Sequence, residues 1–294
     1  MTKLLIGTSG FKFDDWKGTF YPTDLKPSNW LNYYAERFNC LEVNASYYRL
    51  IHPATFYQMA KKAPEGFEFT VKAYRSLTHE PARGAGLRPG IGAESESDFE
   101  TFVESLKPLL EAGKFGCVLA QFPSSFRNTA ESRAYLAELQ DKFRGFELPL
   151  VVEFRNREWI AESVFEFMRE HQVGFCAVDE PQFKTLMPPI AMATSDIGYV
   201  RFHGRNYEKW WKGGESGKER YDYLYSQEEL QEWVPKIQQI AESSDKVYVF
   251  MNNCFQGQAA KNAVQMRELL QKELGIEIEG ARPSQLSMPE VGDQ

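Results

Sequence analysis

The chain has 294 residues, 43% of them hydrophobic and 26% charged, and carries a formal net charge of -7. That composition is sufficient to bury a full core, and the negative balance repels a phosphate backbone, so nucleic acid is not an expected partner. The opening MTKLLIGTSG has too short an apolar run for a signal peptide, and no run approaches membrane-spanning length, so the expectation is a cytoplasmic protein with no membrane partner.

Cys40, Cys117, Cys176 and Cys254 are far apart and form no CxxC pair, which reads as reduced, buried thiols. Cys254, just past the last strand-like run, is the one candidate nucleophile among them.

In chain order, Leu4 to Thr8 is a first β-like run. It is followed by an aromatic loop through Trp16, Phe20 and Tyr21 and a helical pattern after Pro27-Ser28. Cys40 to Asn44 is a second strand, Pro53 opens a helix, and Phe67 to Lys72 is a third strand. A long loop from Ala73 to Ser97 carries His79, Arg83 and Arg88, and its length suggests function or disorder. Ser97 or Asp98 is positioned to cap the next helix, and Gly116 to Phe122 is strand four.

Glu131 to Phe143 is a helix, and Leu150 begins strand five, LVVEFRNREW. Ser163 to His171 is helical and Gly174 to Asp179 is strand six. The next connection is Pro-rich, with a rudimentary helix at most. Gly198 to His203 is strand seven, followed by a second long loop, 204–225, rich in Trp and Tyr and containing Gly213, Gly214 and Gly217. Ser226 with Glu229 has capping-box spacing for one helix through Ile240. Lys246 to Met251 is strand eight and Gln256 to Leu274 the last helix. Residues 1–280 therefore form one domain, and 281–294, without periodicity, are expected to be a disordered tail.

Eight strand-like runs alternating with helical connectors predict an α/β fold of the (β/α)8 TIM-barrel kind, a single domain with long loops after strands three and seven. No GxGxxG follows the first strand, which argues against an open doubly wound sheet.

Alternate residues of a barrel strand face inward. Parity places Glu42, Asn44, Lys72, Gln121, Glu153, Arg155, Asp179, Arg201, His203 and Asn252 in the barrel or on its upper rim. Glu42 with Lys72, or Glu153 with Arg201, would make internal ion pairs. So many ionisable groups in one interior imply a polar pocket at the carboxyl end of the strands. The expected chemistry is acid–base work on a polar, anionic or sugar-containing small molecule, possible hydrolysis included. Glu153 or Asp179 is a base, His203 a proton donor, Lys72 and Arg155 oxyanion stabilisers, and Arg201 and Arg205 further anion-binding groups. The Trp/Tyr loop is a candidate lid.

No cofactor is expected. Two alternatives stand beside this reading: a divalent-metal enzyme using Glu153, Asp179 and His203, and a non-catalytic small-ligand-binding protein. The sequence does not bear on oligomeric state.

The runs IGTSGF with Trp16, FYP, LEVNASYYRL, FEFTVKAYRSLTH, LAQFPSSF, VVEFRNREW, YVRFHGR and FMNNCFQGQAAKNA, in that order, resemble the YecE-like family, domain of unknown function 72. The resemblance implies a TIM barrel and no established activity. It marks Ser9, Trp16, Glu42, Asn44, Lys72, His79, Gln121, Glu153, Arg155, Arg201, His203, Arg205, Asn252 and Asn253 as matching motif positions. Phe11 stands where many members carry Trp, and keeps an aromatic ring there.

Overall fold

The computed structural model describes residues 2–79, 93–211 and 218–278. Arg83, Arg88, the three loop glycines and the tail 281–294 lie outside them. Eight parallel strands form one sheet: β1 Lys3–Thr8, β2 Cys40–Val43, β3 Glu68–Lys72, β4 Phe115–Gln121, β5 Leu150–Glu153, β6 Gly174–Asp179, β7 Ile197–Phe202 and β8 Lys246–Met251. The order β1-β8-β7-β6-β5-β4-β3-β2 runs almost fully around a barrel, as the alternating pattern predicts. β6 and β7 are buried at every residue, as strands covered on both faces must be.

The seam between β1 and β2 is closed mainly by side chains. Asn39 Oδ1 accepts from the Ile6 N–H at 2.7 Å while its Nδ2 donates to the Leu4 carbonyl at 3.0 Å. The Tyr34 hydroxyl accepts from the Thr8 N–H at 2.8 Å and donates to the Cys40 carbonyl at 3.1 Å. At the top backbone meets backbone, where the Gly10 N–H donates to the Glu42 carbonyl at 2.9 Å. Gly7 is needed at this seam because a Cβ would strike the Cys40 carbonyl.

The helices are α1 Trp30–Ala35, α2 Ala45–Tyr48, α3 Pro53–Lys62, α4 Ala93–Glu111, α5 Ala130–Arg144, α6 Glu162–Glu170, α7 Gln227–Gln231, α8 Val234–Ala241 and α9 Gln258–Leu274. Two expectations for them need correction. The α4 helix starts at Ala93, so Ser97 and Asp98 lie inside it and do not cap it. The capping box of Ser226 and Glu229 forms, but the helix it begins ends at Gln231 and restarts at Val234. Pro235 is the cause: it has no N–H, and its ring would clash with the Gln231 carbonyl in a continuous helix. No helix links β6 to β7, where Pro181, Pro188 and Pro189 interrupt the chain.

The barrel interior is layered. At the amino end, Glu68 takes Lys3 Nζ at 2.8 Å and Lys246 Nζ at 2.9 Å and also accepts from the Tyr248 hydroxyl. Burial alone would raise the Glu68 pKa, and these donors hold it below the usual value. That end is plugged by satisfied charge, which leaves the carboxyl end as the open one. Among the described residues no helix is long and apolar enough to cross a membrane.

Candidate functional site

Strand β7 delivers Tyr199 and Arg201 inward, and His203 follows it on the same face. Arg201 is almost fully buried at the centre of the barrel. Its Nη2 donates to Glu42 Oε1 at 2.7 Å and its Nη1 to Glu153 Oε2. Glu42 is completed by the Tyr199 hydroxyl, which donates to Oε2 at 2.7 Å and lies 2.9 Å from Thr70 Oγ1. On the far side of Glu153, Arg155 Nε reaches Oε1 at 2.6 Å, and Arg155 Nη1 continues to Glu180 Oε2 at 3.0 Å.

Five side chains thus alternate in sign across the interior: Glu42, Arg201, Glu153, Arg155, Glu180. Each buried ion has a partner, the condition under which buried charge is tolerated. Glu153 is flanked by two guanidinium groups. Burial would raise its pKa, but Arg155 and Arg201 hold the carboxyl well below the ordinary range. Glu180 ends the row with one cation, and burial outweighs Arg155, pushing it up to about 7.

His203 is fully buried. The Asn252 amide nitrogen lies 2.9 Å from Nδ1, and Nε2 lies 3.2 Å from Arg155 Nη2 and 3.3 Å from Glu153 Oε1. Burial first, then the Arg155 charge, pushes its pKa down to about 3, so the imidazole is neutral near pH 7.

Lys72 ends β3 and behaves differently. Its Nζ donates to Gln121 Oε1 at 2.7 Å and lies 4.5 Å from the Tyr47 ring centre. Its carbonyl accepts from the Ser46 hydroxyl at 2.6 Å, which fixes the strand end. Among the described residues no carboxylate pairs with this ammonium. Burial and then the Arg201 charge push its pKa down to about 7.

A cavity of about 540 Å³ opens beside Lys72. Its polar lining includes Ser9, Lys12, Asp15, Glu42, Asn44, Lys72, Gln121, Arg201 and Asn252; Phe11, Phe13, Leu41, Val43 and Phe255 form apolar wall, and Tyr48 and Tyr221 also line it. Ser9, Asn44, Lys72, Gln121 and Asn252 all lie at or just beyond the carboxyl ends of their strands. The volume suits a small molecule.

Of the residues grouped with these by sequence, Glu153, Arg155 and His203 belong to the buried charged cluster and do not line the cavity, and four others sit elsewhere. Asp179 is on the outer face of β6, because Cys176, three residues earlier, faces Glu153 at 3.9 Å and fixes the opposite parity. The inward carboxylate is Glu180, which sequence reading missed. Its neighbour Asp179 instead accepts from Trp233 Nε1 at 2.6 Å, the Tyr225 hydroxyl at 2.8 Å and Arg205 Nε at 2.9 Å. Arg205 is therefore also outside, with Glu232 at 2.7 Å. Asn253 donates to the Tyr223 carbonyl and Asn262 Oδ1, both at 2.8 Å, tying the β7–β8 connection to α9.

His79 lies outside the cavity lining, 2.8 Å from Thr78 Oγ1, with its ring 5.2 Å from that of Tyr47. Burial and then Lys72 push its pKa down to about 4. Cys254 lines the cavity, but burial pushes its thiol pKa well up and its Sγ–H donates to the Ser9 carbonyl at 3.3 Å, so it is no thiolate nucleophile.

The metal alternative loses its donor set. Asp179 faces away from Glu153 and His203, and Glu42 and Glu153 are bound by arginine. Among the described residues no cluster of three or more His, Cys, Asp or Glu side chains is placed to hold an ion. Of the aromatic loop, Tyr221 reaches the cavity, Trp210 and Tyr225 are buried, and Tyr207 and Trp211 pack on Phe183; residues 212–217 lie outside the described residues.

The family model described as "Protein of unknown function DUF72" matches residues 5–286. The chain belongs to the DUF72 family. It is 33% identical over 295 residues to the UPF0759 protein YunF of Bacillus subtilis (strain 168), covering 97% of this chain and 99% of that protein. A DUF72 family protein from Thermotoga maritima MSB8 is 40% identical, with a TM-score of 0.80, over 92% of this chain and 99% of that one. Another from Enterococcus faecalis V583 is 28% identical, with a TM-score of 0.78, over 91% and 95%. DUF72 membership agrees with the barrel and with the motif resemblance. It carries no reaction, so chemistry must be argued from the side chains.

Proposed function

We propose that this DUF72 protein is an enzyme acting on a hydroxylated, uncharged or weakly charged small molecule in the cavity at the carboxyl end of the barrel. Lys72 is its acid–base centre. The observation that carries this reading is the Lys72 amine beside the cavity, 2.7 Å from Gln121 and without a carboxylate partner among the described residues. With a pKa near 7, it exchanges a proton readily at neutral pH, which suits a general base.

The roles first assigned to the other residues change. Glu153 is held ionised between two arginines and is a weak base, so it serves as the anion that keeps Arg155 and Arg201 in place. His203 is a neutral positioning group for Asn252. Arg155 and Arg201 are already neutralised by carboxylates, so neither is free to clamp a phosphate or carboxylate. That favours a sugar-like ligand over an anionic one, with Ser9, Asn44 and Asn252 for its hydroxyls and Phe11 and Phe255 for its apolar face.

The test is incubation of wild-type protein and Lys72→Met with a metabolite extract, followed by mass spectrometry. The expected result is a substrate consumed by wild type only, at a rate that rises with pH through about 7, with both proteins equally folded by circular dichroism. Equal consumption by the folded Lys72→Met protein, or no consumption by wild type, overturns the reading.

A further inference from the structure

We infer that the Lys72 amine forms a Schiff base with the carbonyl carbon of a small hydroxylated aldehyde or ketone bound in this cavity. This deepens, and rests on, the acid–base reading of the same site.

Three observations support it. The inner cations Arg155 and Arg201 each contact two carboxylates, whereas Lys72 contacts an amide oxygen and an aromatic ring. A lysine placed to supply charge gains from an anion; one placed to supply a lone pair does not, since the anion would keep it protonated. Next, the amine is held. Its backbone is fixed by Ser46 and by pairing with Leu119 in β4, and Gln121 Oε1 takes one N–H, so an attacking lone pair is oriented at low entropic cost. Finally, the surroundings favour the neutral amine: burial and the nearby Arg201 disfavour the ammonium, the arrangement that activates lysine nucleophiles.

In the step proposed, the amine nitrogen bonds to the carbonyl carbon as the C=O π bond breaks. One proton passes from nitrogen to oxygen through solvent, giving a carbinolamine. Loss of that hydroxyl with a proton as water leaves the imine, which takes a solvent proton to become the iminium. No redox partner is required.

The full-length protein is incubated at pH 7.5 with glycolaldehyde or dihydroxyacetone and sodium cyanoborohydride, which reduces an iminium to a stable secondary amine, and the adduct is located by peptide mapping. At that pH a lysine of pKa near 7 has on the order of several hundred times more free amine than an ordinary one. The expected result is labelling at Lys72 at least about tenfold above any surface lysine, with no adduct at this position in Lys72→Arg. The Lys72 labelling profile should have its midpoint near pH 7, a readout available from wild type even if the variant does not fold. Uniform labelling of surface lysines with none enriched at Lys72 overturns the inference. Lys72-dependent turnover of an extract substrate with no trapped adduct leaves the proposed function standing and overturns the Schiff base. A Lys72 adduct without any turnover leaves the Schiff base standing and overturns the enzymatic reading.

Discussion

Asp179 and Trp233 meet at 2.6 Å on the outside of the barrel, while Glu180, the next residue, points to its centre. The buried Asp179 carboxylate is shared among the indole N–H, the Tyr225 hydroxyl and Arg205, so its task is to fasten the β7–β8 connection to the barrel wall. Replacing it by Ala strands two buried donors and an arginine. The expected loss is about 3 kcal/mol or more of unfolding free energy in urea titrations, with Lys72 labelling of the folded protein unchanged. A loss under about 1 kcal/mol would show that these bonds carry little.

Glu180 gives stability a distinct pH dependence. Its folded pKa, about 7, is raised above the ordinary carboxyl value of 4.5. Between these values the folded state binds more protons than the unfolded one, so this group's contribution to stability falls as pH rises from about 4.5 to about 7. Glu180→Gln mimics the protonated form and keeps the acceptor for the Met187 N–H. It should match wild type at pH 5 and be more stable at pH 8 by roughly 2–3 kcal/mol in paired urea titrations. An equal difference at both pH values would contradict the raised pKa.

Tyr34→Phe tests the side-chain seam. The ring is retained, but the Thr8 N–H and the Cys40 carbonyl lose their buried partner. The predicted cost is about 2–3 kcal/mol, read as a lower thermal midpoint. A midpoint within about 1 °C of wild type would imply that the strands re-pair without the hydroxyl.

Gln121→Glu sets a carboxylate beside Lys72 Nζ, where the amide oxygen now sits at 2.7 Å. The new charge favours the ammonium, so the midpoint of the labelling profile should move up by at least about one pH unit. Labelling at pH 7.5 should then fall several-fold. A midpoint that stays near 7 would mean that Gln121 is not the controlling neighbour.

Much of the barrel was legible because its strands are apolar runs with punctuation at both ends; β6 and β8 have the predicted boundaries, β1, β2, β3, β4 and β7 shift by a residue at one or both ends, and β5 starts at the predicted Leu150 and stops at Glu153. Parity worked where one charged residue stands among apolar ones, as for Glu42, Glu153 and Arg201. It failed at Asp179-Glu180, where consecutive carboxylates fit either phase and only the packing of Cys176 against Glu153 decides. Pairing across the barrel was half visible. Glu153 does meet Arg201, but Glu42 pairs with Arg201 and not with Lys72, because residues 159 apart in sequence are matched only by the closed fold. The Asp179 fastening was illegible for the same reason: nothing in the local pattern around Trp233 or Tyr225 marks either as a donor to a residue of β6.

The seam between β1 and β2 also bears on how the chain is made. β1 has its regular ladder only with β8, which leaves the ribosome more than two hundred residues later. Until then its backbone N–H and C=O groups, beyond those that Asn39 and Tyr34 can occupy, remain open to pairing with another nascent chain. Removing the two side chains that close the finished barrel should therefore leave more of this early strand open and lower the yield of folded protein during synthesis, as well as its stability once folded.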